Sequence, residues 1–140
     1  MHGVTKVRKH YWTNGLVTDD SMADQIIGQY EKMKASSDEP VFLHAVTMQN
    51  HTNYNKDNYP DNQRVKVLEH PAGMKASTVG ALEDFATGIR DADAMLGKLT
   101  AYFSQVDEPV ILVFWGDHYN PIDSCLLYTS DAADERSSVD

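Results

Sequence analysis

Cysteine is almost missing from this chain of 140 residues, in which Cys125 is the single example. One cysteine excludes an internal disulfide, and it cannot provide the cysteine cluster of a structural zinc site.

Long hydrophobic runs are missing as well. No stretch approaches the roughly 20 apolar residues of a membrane-spanning helix, and the opening MHGVTKVRKHYW lacks the apolar region of a signal peptide. The sequence therefore predicts no membrane span and no targeting signal within these residues.

Basic residues are few. The 12 Lys and Arg against 21 Asp and Glu give a formal net charge of −9, whereas a nucleic-acid-binding domain needs clustered basic side chains. The acidic balance argues against nucleic acid as a partner. It fits either a solvated surface or carboxylates that gather around a cation.

Two helices are predicted from hydrophobic periodicity. Thr18 to about Ser36 carries an apolar stripe, acidic residues near its start, and Thr18 or Asp19 as its cap. Thr78 to Val106 carries a longer stripe at spacings of three and four, which favours packing against a sheet over a short coiled coil. Asp93 lies beside this stripe, so we expect it to form a buried hydrogen bond. The apolar positions of the second stripe are Leu82, Phe85, Ile89, Ala92, Leu96, Leu99, Phe103 and Val106.

Two short apolar segments are predicted to be strands buried on both faces, Val41 to Met48 and Val110 to Trp115. His44, inside the first segment, is expected to be a hydrogen-bonded core histidine. Gln49 to Ser77 is a long polar loop of a kind that is usually functional or mobile. The order helix, strand, loop, helix, strand predicts a right-handed parallel βαβ unit. The predicted fold class is therefore α/β, with a partial parallel sheet flanked by helices.

The last sixteen residues, CLLYTSDAADERSSVD, differ from the rest of the chain. After Leu127 they are small and polar and show neither a helical nor a strand period. One interpretation is a disordered tail; we favour a second, in which the string is the in-frame translation of a sequencing adaptor. The domain prediction is a partial domain at residues 1–124 and a non-native or disordered tail at residues 125–140.

Chemically versatile side chains follow both predicted strands. His51 comes after the first strand, and Asp117 and His118 come directly after the second. Ligands of parallel sheets bind beyond the carboxyl ends of the strands, so we expect these three side chains at one edge of the sheet. A carboxylate with an imidazole suits Zn²⁺ or Mn²⁺, and one or two further ligands would be required. The residues alone leave open that Asp117 caps a turn, that His118 is an ordinary polar residue, and that His51 is a solvated loop histidine.

Three motifs together resemble a known family. PVFLHAVTMQNHTNY, a helix containing IRDADAMLGKL, and VILVFWGDHYNPI resemble the C-terminal half of the extracellular catalytic domain of lipoteichoic acid synthases. These are phosphoglycerol transferases of the sulfatase and alkaline phosphatase superfamily. The similarity covers roughly Trp12 to Ile122 and implies that residues 1–124 are a partial sulfatase-like catalytic domain, a fragment of an alkaline phosphatase/sulfatase-like fold.

The resemblance implies roles for the three end-of-strand residues. Asp117 and His118 match the family's ligands of a divalent cation, commonly Mn²⁺, with Zn²⁺, Mg²⁺ and Ca²⁺ as alternatives. His51 matches a histidine that contacts the phosphoglycerol group. The family's threonine nucleophile and acidic metal ligand belong to earlier segments, which nothing in this chain matches. We therefore expect no catalytic nucleophile here and no activity from this chain alone.

The implied function is transfer of glycerol phosphate from a phosphatidylglycerol-type lipid to a cell-envelope acceptor. The implied partners are the lipid headgroup and the glycerol phosphate acceptor, on the extracellular or periplasmic face of a membrane to which upstream spans would anchor the parent protein. One alternative is a sulfatase or phosphodiesterase of the same superfamily, although GDHYNP in place of a GDHG pattern favours the transferase. A second alternative is a non-catalytic α/β module in which Asp117 and His118 are structural.

Overall fold

Two helices form the frame of the chain in a computed structural model that describes residues 15–55, 57–118 and 122. Helix α1 spans Asp19–Lys34 and helix α2 spans Ala76–Phe103. Both helices predicted from periodicity are confirmed. Neither helix of these described ranges is long and apolar enough to cross a membrane.

The sequence at both ends of α1 explains where the helix begins and ends. Thr18 takes the N-cap position, and its Oγ1 accepts the backbone N–H of Ser21 at 3.2 Å. This bond satisfies one of the amides that the first turn leaves without a helical partner. Two aspartates lie in the first turn and two lysines in the last, so side-chain charge complements the helix dipole at each end.

The two helices pack against each other through a small apolar core. Ala23 of α1 and Met95 and Leu99 of α2 are its buried members, and Met22, Ile26, Ile27 and Phe103 pack around them. Burying a side chain the size of Leu or Met contributes roughly 1.5–3 kcal/mol to folding. These contacts make α1 and α2 one unit, to which the long loop is also bonded.

The buried face of α2 differs from the predicted one. Ile89 of the predicted stripe is 49% exposed, whereas Asp84 and Thr87 are completely buried. Asp93 is exposed, so its predicted buried hydrogen bond is wrong. The reason is that this face of α2 receives a polar loop, whose backbone N–H groups need acceptors.

The loop from Gln49 to Lys75 is tied to α2 by those polar side chains. Asp84 Oδ2 accepts the backbone N–H groups of Asn55 and Asn58, both at 3.3 Å. Farther along the loop, Thr87 Oγ1 accepts the Val65 N–H at 2.9 Å. A long loop without helix or strand among its described residues is thus anchored at several points.

The two apolar segments predicted to be strands lie at the surface. Phe42 is 84% exposed and Ile111 is 91% exposed, so the prediction that both segments are buried is wrong for this chain. His44 is exposed as well and stacks on Trp115, with ring centroids 6.3 Å apart, instead of occupying a core. Burial on both faces requires a covering layer on each side, and α1 and α2 pack chiefly on each other. Within the described ranges neither segment forms a strand, and the parallel sheet stays a prediction.

The two segments nevertheless run in the same direction. His44 contacts Trp115, and farther along both segments His51 contacts His118. The ends of α1 agree with this direction. The N-terminal residue of α1, Asp19, bonds to Gln49 after the first segment, and its last residue, Lys34, pairs with Glu108 before the second. Co-directional segments are what a parallel pair requires.

Candidate functional site

His51 and His118 lie next to each other although they are 67 positions apart in the chain. Their ring centroids are 6.0 Å apart and the rings are nearly perpendicular, at 85°. Each follows one of the two co-directional apolar segments, so the prediction that the segment ends bring these residues together is confirmed for this pair. The sequence alone pointed to this proximity, because the ends of parallel strands meet at one edge.

Asp117 completes the cluster on the side of His118. Its Oδ1 lies 3.7 Å from His118 Nε2, and both side chains are more than half exposed. Because solvent reaches both side chains, this contact contributes little to stability. Ions and small molecules in the solvent can therefore reach both side chains.

The donor set of this cluster fits a first-row divalent cation. Ligand atoms lie about 2.0–2.2 Å from Zn²⁺ or Mn²⁺, so two ligands of one ion are roughly 3–3.5 Å apart. The 3.7 Å between Asp117 Oδ1 and His118 Nε2 needs only a small side-chain rotation to reach that separation. Within the described part of the chain, no group of three or more His, Cys, Asp or Glu is arranged to hold a metal ion. The remaining ligands would therefore have to come from elsewhere.

Behind His51 lies a buried polar cluster that the sequence reasoning missed. Gln49, only 1% exposed, accepts the backbone N–H of Asp19 on its Oε1 at 2.6 Å. Its Nε2 donates to Asp91 Oδ2 at 2.8 Å and to the Tyr59 hydroxyl at 3.3 Å. One side chain thereby joins the start of α1, the middle of α2 and the long loop.

Asn50 makes a second connection between the same elements. Its Nδ2 donates to the Gly88 carbonyl of α2 at 3.2 Å and to Asp19 Oδ2 at 3.4 Å. Its own backbone carbonyl accepts from the Tyr54 hydroxyl at 3.0 Å. A β-carbon at position 88 would collide with Asn50 Oδ1, so glycine at this position lets the Asn50 side chain lie close against α2.

Asp19 is completely buried in this cluster. Burial, and the negative charge of Asp91 in second place, raise the pKa of Asp19 from 3.8 to about 6. Its Oδ1 has no hydrogen-bond partner within the described part of the chain. Protonation removes the buried charge, so this carboxyl gains and loses its proton close to neutral pH.

A polar stripe on α2 is the signal by which the sequence could have revealed the buried cluster. Asp84, Thr87, Gly88 and Asp91 recur at spacings of three and four along α2. Such a stripe indicates a helix face that receives a polar loop. Gln49 and Asn50 directly before His51 are the corresponding signal in the loop.

Comparison with known proteins decides the family. The sulfatase family profile matches residues 4–137, nearly the whole chain. The chain belongs to the sulfatase family. The matched range includes residues 125–137 of the segment predicted to be a non-native or disordered tail; that segment lies outside the described residues, and its assignment stays a prediction.

A curated protein also matches this chain, at lower similarity. The "Putative cyclic beta-1,2-glucan modification protein" of Rhizobium meliloti (strain 1021) is 29% identical over 113 residues, which cover 81% of this chain. The match spans 16% of the length of that protein. No solved structure matches the chain. The superfamily expected from the three motifs is therefore confirmed, while the particular reaction is not decided by these comparisons.

Proposed function

We propose that this chain is part of the catalytic domain of a metal-dependent phosphoglycerol transferase of the sulfatase family. The observation that carries the proposal is the cluster of His51, Asp117 and His118 at the ends of two co-directional segments. Two histidines and a carboxylate, open to solvent, suit a reaction in which an anionic group must be bound and its charge neutralised.

Asp117 and His118 are proposed to hold the divalent cation, with Mn²⁺ as the first candidate and Zn²⁺, Mg²⁺ and Ca²⁺ as alternatives. When bound, such a cation neutralises charge on phosphoryl oxygens and lowers the pKa of a coordinated hydroxyl. Asp117 supplies the anionic ligand and His118 a neutral nitrogen ligand. The exposed position of both leaves room for a substrate beside them.

His51 is proposed to bind the substrate. From its place 6.0 Å from the His118 ring, its imidazole can donate a hydrogen bond to a phosphate oxygen or a proton to the departing alkoxide. The nucleophile is proposed to come from a part of the parent protein outside this chain, because no residue here matches the family's threonine. The 140-residue chain alone is accordingly expected to show no turnover.

The proposed donor is the headgroup of a phosphatidylglycerol-type lipid, and the proposed acceptor is a hydroxyl of a cell-envelope molecule. The name of the Rhizobium meliloti relative concerns modification of a glucan, which favours a carbohydrate hydroxyl among possible acceptors. Lipid donor and envelope acceptor together place the proposed reaction on the extracellular or periplasmic face of the membrane.

The test is turnover by the parent protein that contains this segment. Purified enzyme is incubated with Mn²⁺ and three substrates in parallel: a fluorescent phosphatidylglycerol, an aryl sulfate and a diaryl phosphate. We expect release of diacylglycerol from the first, abolished by Asp117→Ala and lowered about 10²–10⁴-fold by His51→Ala. Turnover of the sulfate or the diester alone would replace the transferase with a sulfatase or a phosphodiesterase. No metal-dependent turnover of any substrate would favour a non-catalytic module.

A further inference from the structure

Gln49 has an unusual position for a polar side chain in a loop. It is one of the largest fully buried side chains among the described residues. Its carbonyl oxygen and its amide nitrogen are both occupied, by three bonds to Asp19, Asp91 and Tyr59. A buried amide with partners on both atoms is held in one orientation, because any rotation leaves a polar group without a partner.

The backbone next to Gln49 is fixed as well. The His51 N–H donates to the Met48 carbonyl at 3.0 Å, which closes a turn around Gln49 and Asn50. Asn50 bonds to the Gly88 carbonyl, and its own carbonyl accepts from Tyr54. The residue that precedes His51 is thus attached to α2 on one side and to the loop on the other.

We propose that Gln49 is a positioning residue for His51. By fastening the turn to Asp19 of α1 and Asp91 of α2, it fixes the direction in which the chain leaves the first apolar segment and so sets the separation of His51 from His118. Its meaning for catalysis rests on the proposed function, but its effect on geometry does not. The position of His51 is therefore determined by bonds to α1 and α2, and not by the exposed apolar segment that precedes it.

The test compares two nearly isosteric changes in the 140-residue chain. Gln49→Met keeps the volume of the side chain and removes all three hydrogen bonds. Thr87→Val, the matched control, also removes a hydrogen bond between α2 and the long loop, but at Val65, away from the turn. The readout is the nuclear Overhauser effect between the ring protons of His51 and His118, which needs no metal ion and no substrate.

We expect the ring-to-ring signal in the wild type and in Thr87→Val, and its loss in Gln49→Met while the signals between Ala23 and Leu99 persist. An undiminished signal in Gln49→Met, or no signal in the wild type, would overturn the inference. Loss of the Ala23–Leu99 signals in Gln49→Met would mean that the helix core itself is disturbed. In that case Asp91→Leu, which removes one of the three partners of Gln49, is tested instead, and loss or retention of its ring-to-ring signal supports or overturns the inference.

A kinetic arm separates this inference from the proposed function. In the parent enzyme we expect Gln49→Met to lower kcat about 10–100-fold while leaving the Mn²⁺ concentration for half-maximal rate unchanged, because Asp117 and His118 are untouched. A change in that Mn²⁺ concentration would contradict positioning of His51 alone. Absence of turnover in the unsubstituted parent would count against the proposed function and leave the ring-to-ring result to decide the inference.

Discussion

Asp19 makes the stability of the fold depend on pH. Its carboxyl is completely buried, and burial raises its pKa to about 6 from 3.8. Because the folded-state pKa lies above the unfolded one, the protonated form favours folding. This contribution is fully present below about pH 3.8 and is lost as the pH rises through about 6.

Asp19→Asn is expected to abolish that part of the pH dependence. Between pH 4.5 and pH 7 the free energy of unfolding of the wild type should fall by about 2 kcal/mol through this group. In the variant, the decrease over the same pH range should be smaller by that amount. Urea titrations of both proteins at the two pH values measure the difference. The same pH dependence in both proteins would mean that Asp19 titrates normally.

Gly88 and Gly97 offer a matched pair on α2. A β-carbon at Gly88 meets Asn50 Oδ1 and lies 3.1 Å from the Tyr59 hydroxyl, whereas one at Gly97 meets nothing within 4 Å. We expect Gly88→Ala to destabilise by about 1–3 kcal/mol through overpacking. Gly97→Ala should stabilise by about 0.5–1 kcal/mol, because alanine is the better helix former. Thermal unfolding of both variants checks the signs; stabilisation by both would show that Asn50 can move away.

At the scale of elements, the helix pair carries most of the packing. Leu99 is buried in the core between α1 and α2, whereas its neighbour Lys98 reaches Asp20 and Asp24, both at 2.7 Å, on the surface. Exposed ion pairs contribute about 0–1 kcal/mol each, and a buried leucine contributes several times more. The core, and not the ion pairs, should therefore determine how firmly α1 holds α2.

Leu99→Ala is expected to destabilise the chain by about 2–5 kcal/mol, and Lys98→Ala by less than about 1 kcal/mol. Urea unfolding followed by helical circular dichroism measures both, and added salt should weaken only the contribution of Lys98. Equal effects of the two changes would show that the α1–α2 contact is electrostatic.

The elements also show what sequence reasoning could reach. Hydrophobic periodicity was sufficient to predict α1 and α2, and a capping threonine also marked the start of α1, because both signals are local properties of the sequence. The buried face of α2 was mispredicted, because burial of Asp84 and Thr87 depends on a loop whose path is not a local property. His51 and His118 were found through the rule that parallel strands end at one edge, whereas Gln49 was missed because its partners lie far away in sequence.

At the scale of the whole molecule, the two apolar segments form an exposed apolar surface within the described part of the chain. Phe42, Val46, Val113 and Trp115 are each at least 55% exposed. Clustered apolar side chains of this size mark a surface that another structural element covers. Since the chain spans 16% of the length of its curated relative, we expect further parts of the parent domain to cover this surface.

The isolated chain is accordingly expected to self-associate. Ile111→Lys should lower the association, because it places a charge inside the second apolar segment. Leu68→Lys is the control: position 68 is equally exposed, at 91%, but lies outside both segments. Sedimentation velocity at several protein concentrations compares the three proteins. A monomeric wild type, or an equal decrease of self-association in the two lysine variants, would contradict the proposal that these segments form the self-association surface.

The central claim is that Asp117 and His118 bind a divalent cation beside His51, and paramagnetic broadening by Mn²⁺ tests it most directly. Mn²⁺ is titrated into the 140-residue chain while the imidazole signals of His51, His118 and His70 are followed. We expect the signals of His118 and then His51 to broaden at concentrations that leave His70 sharp, and Asp117→Ala to remove that preference. Uniform broadening of all three histidines, or an unchanged preference in Asp117→Ala, would contradict the claim.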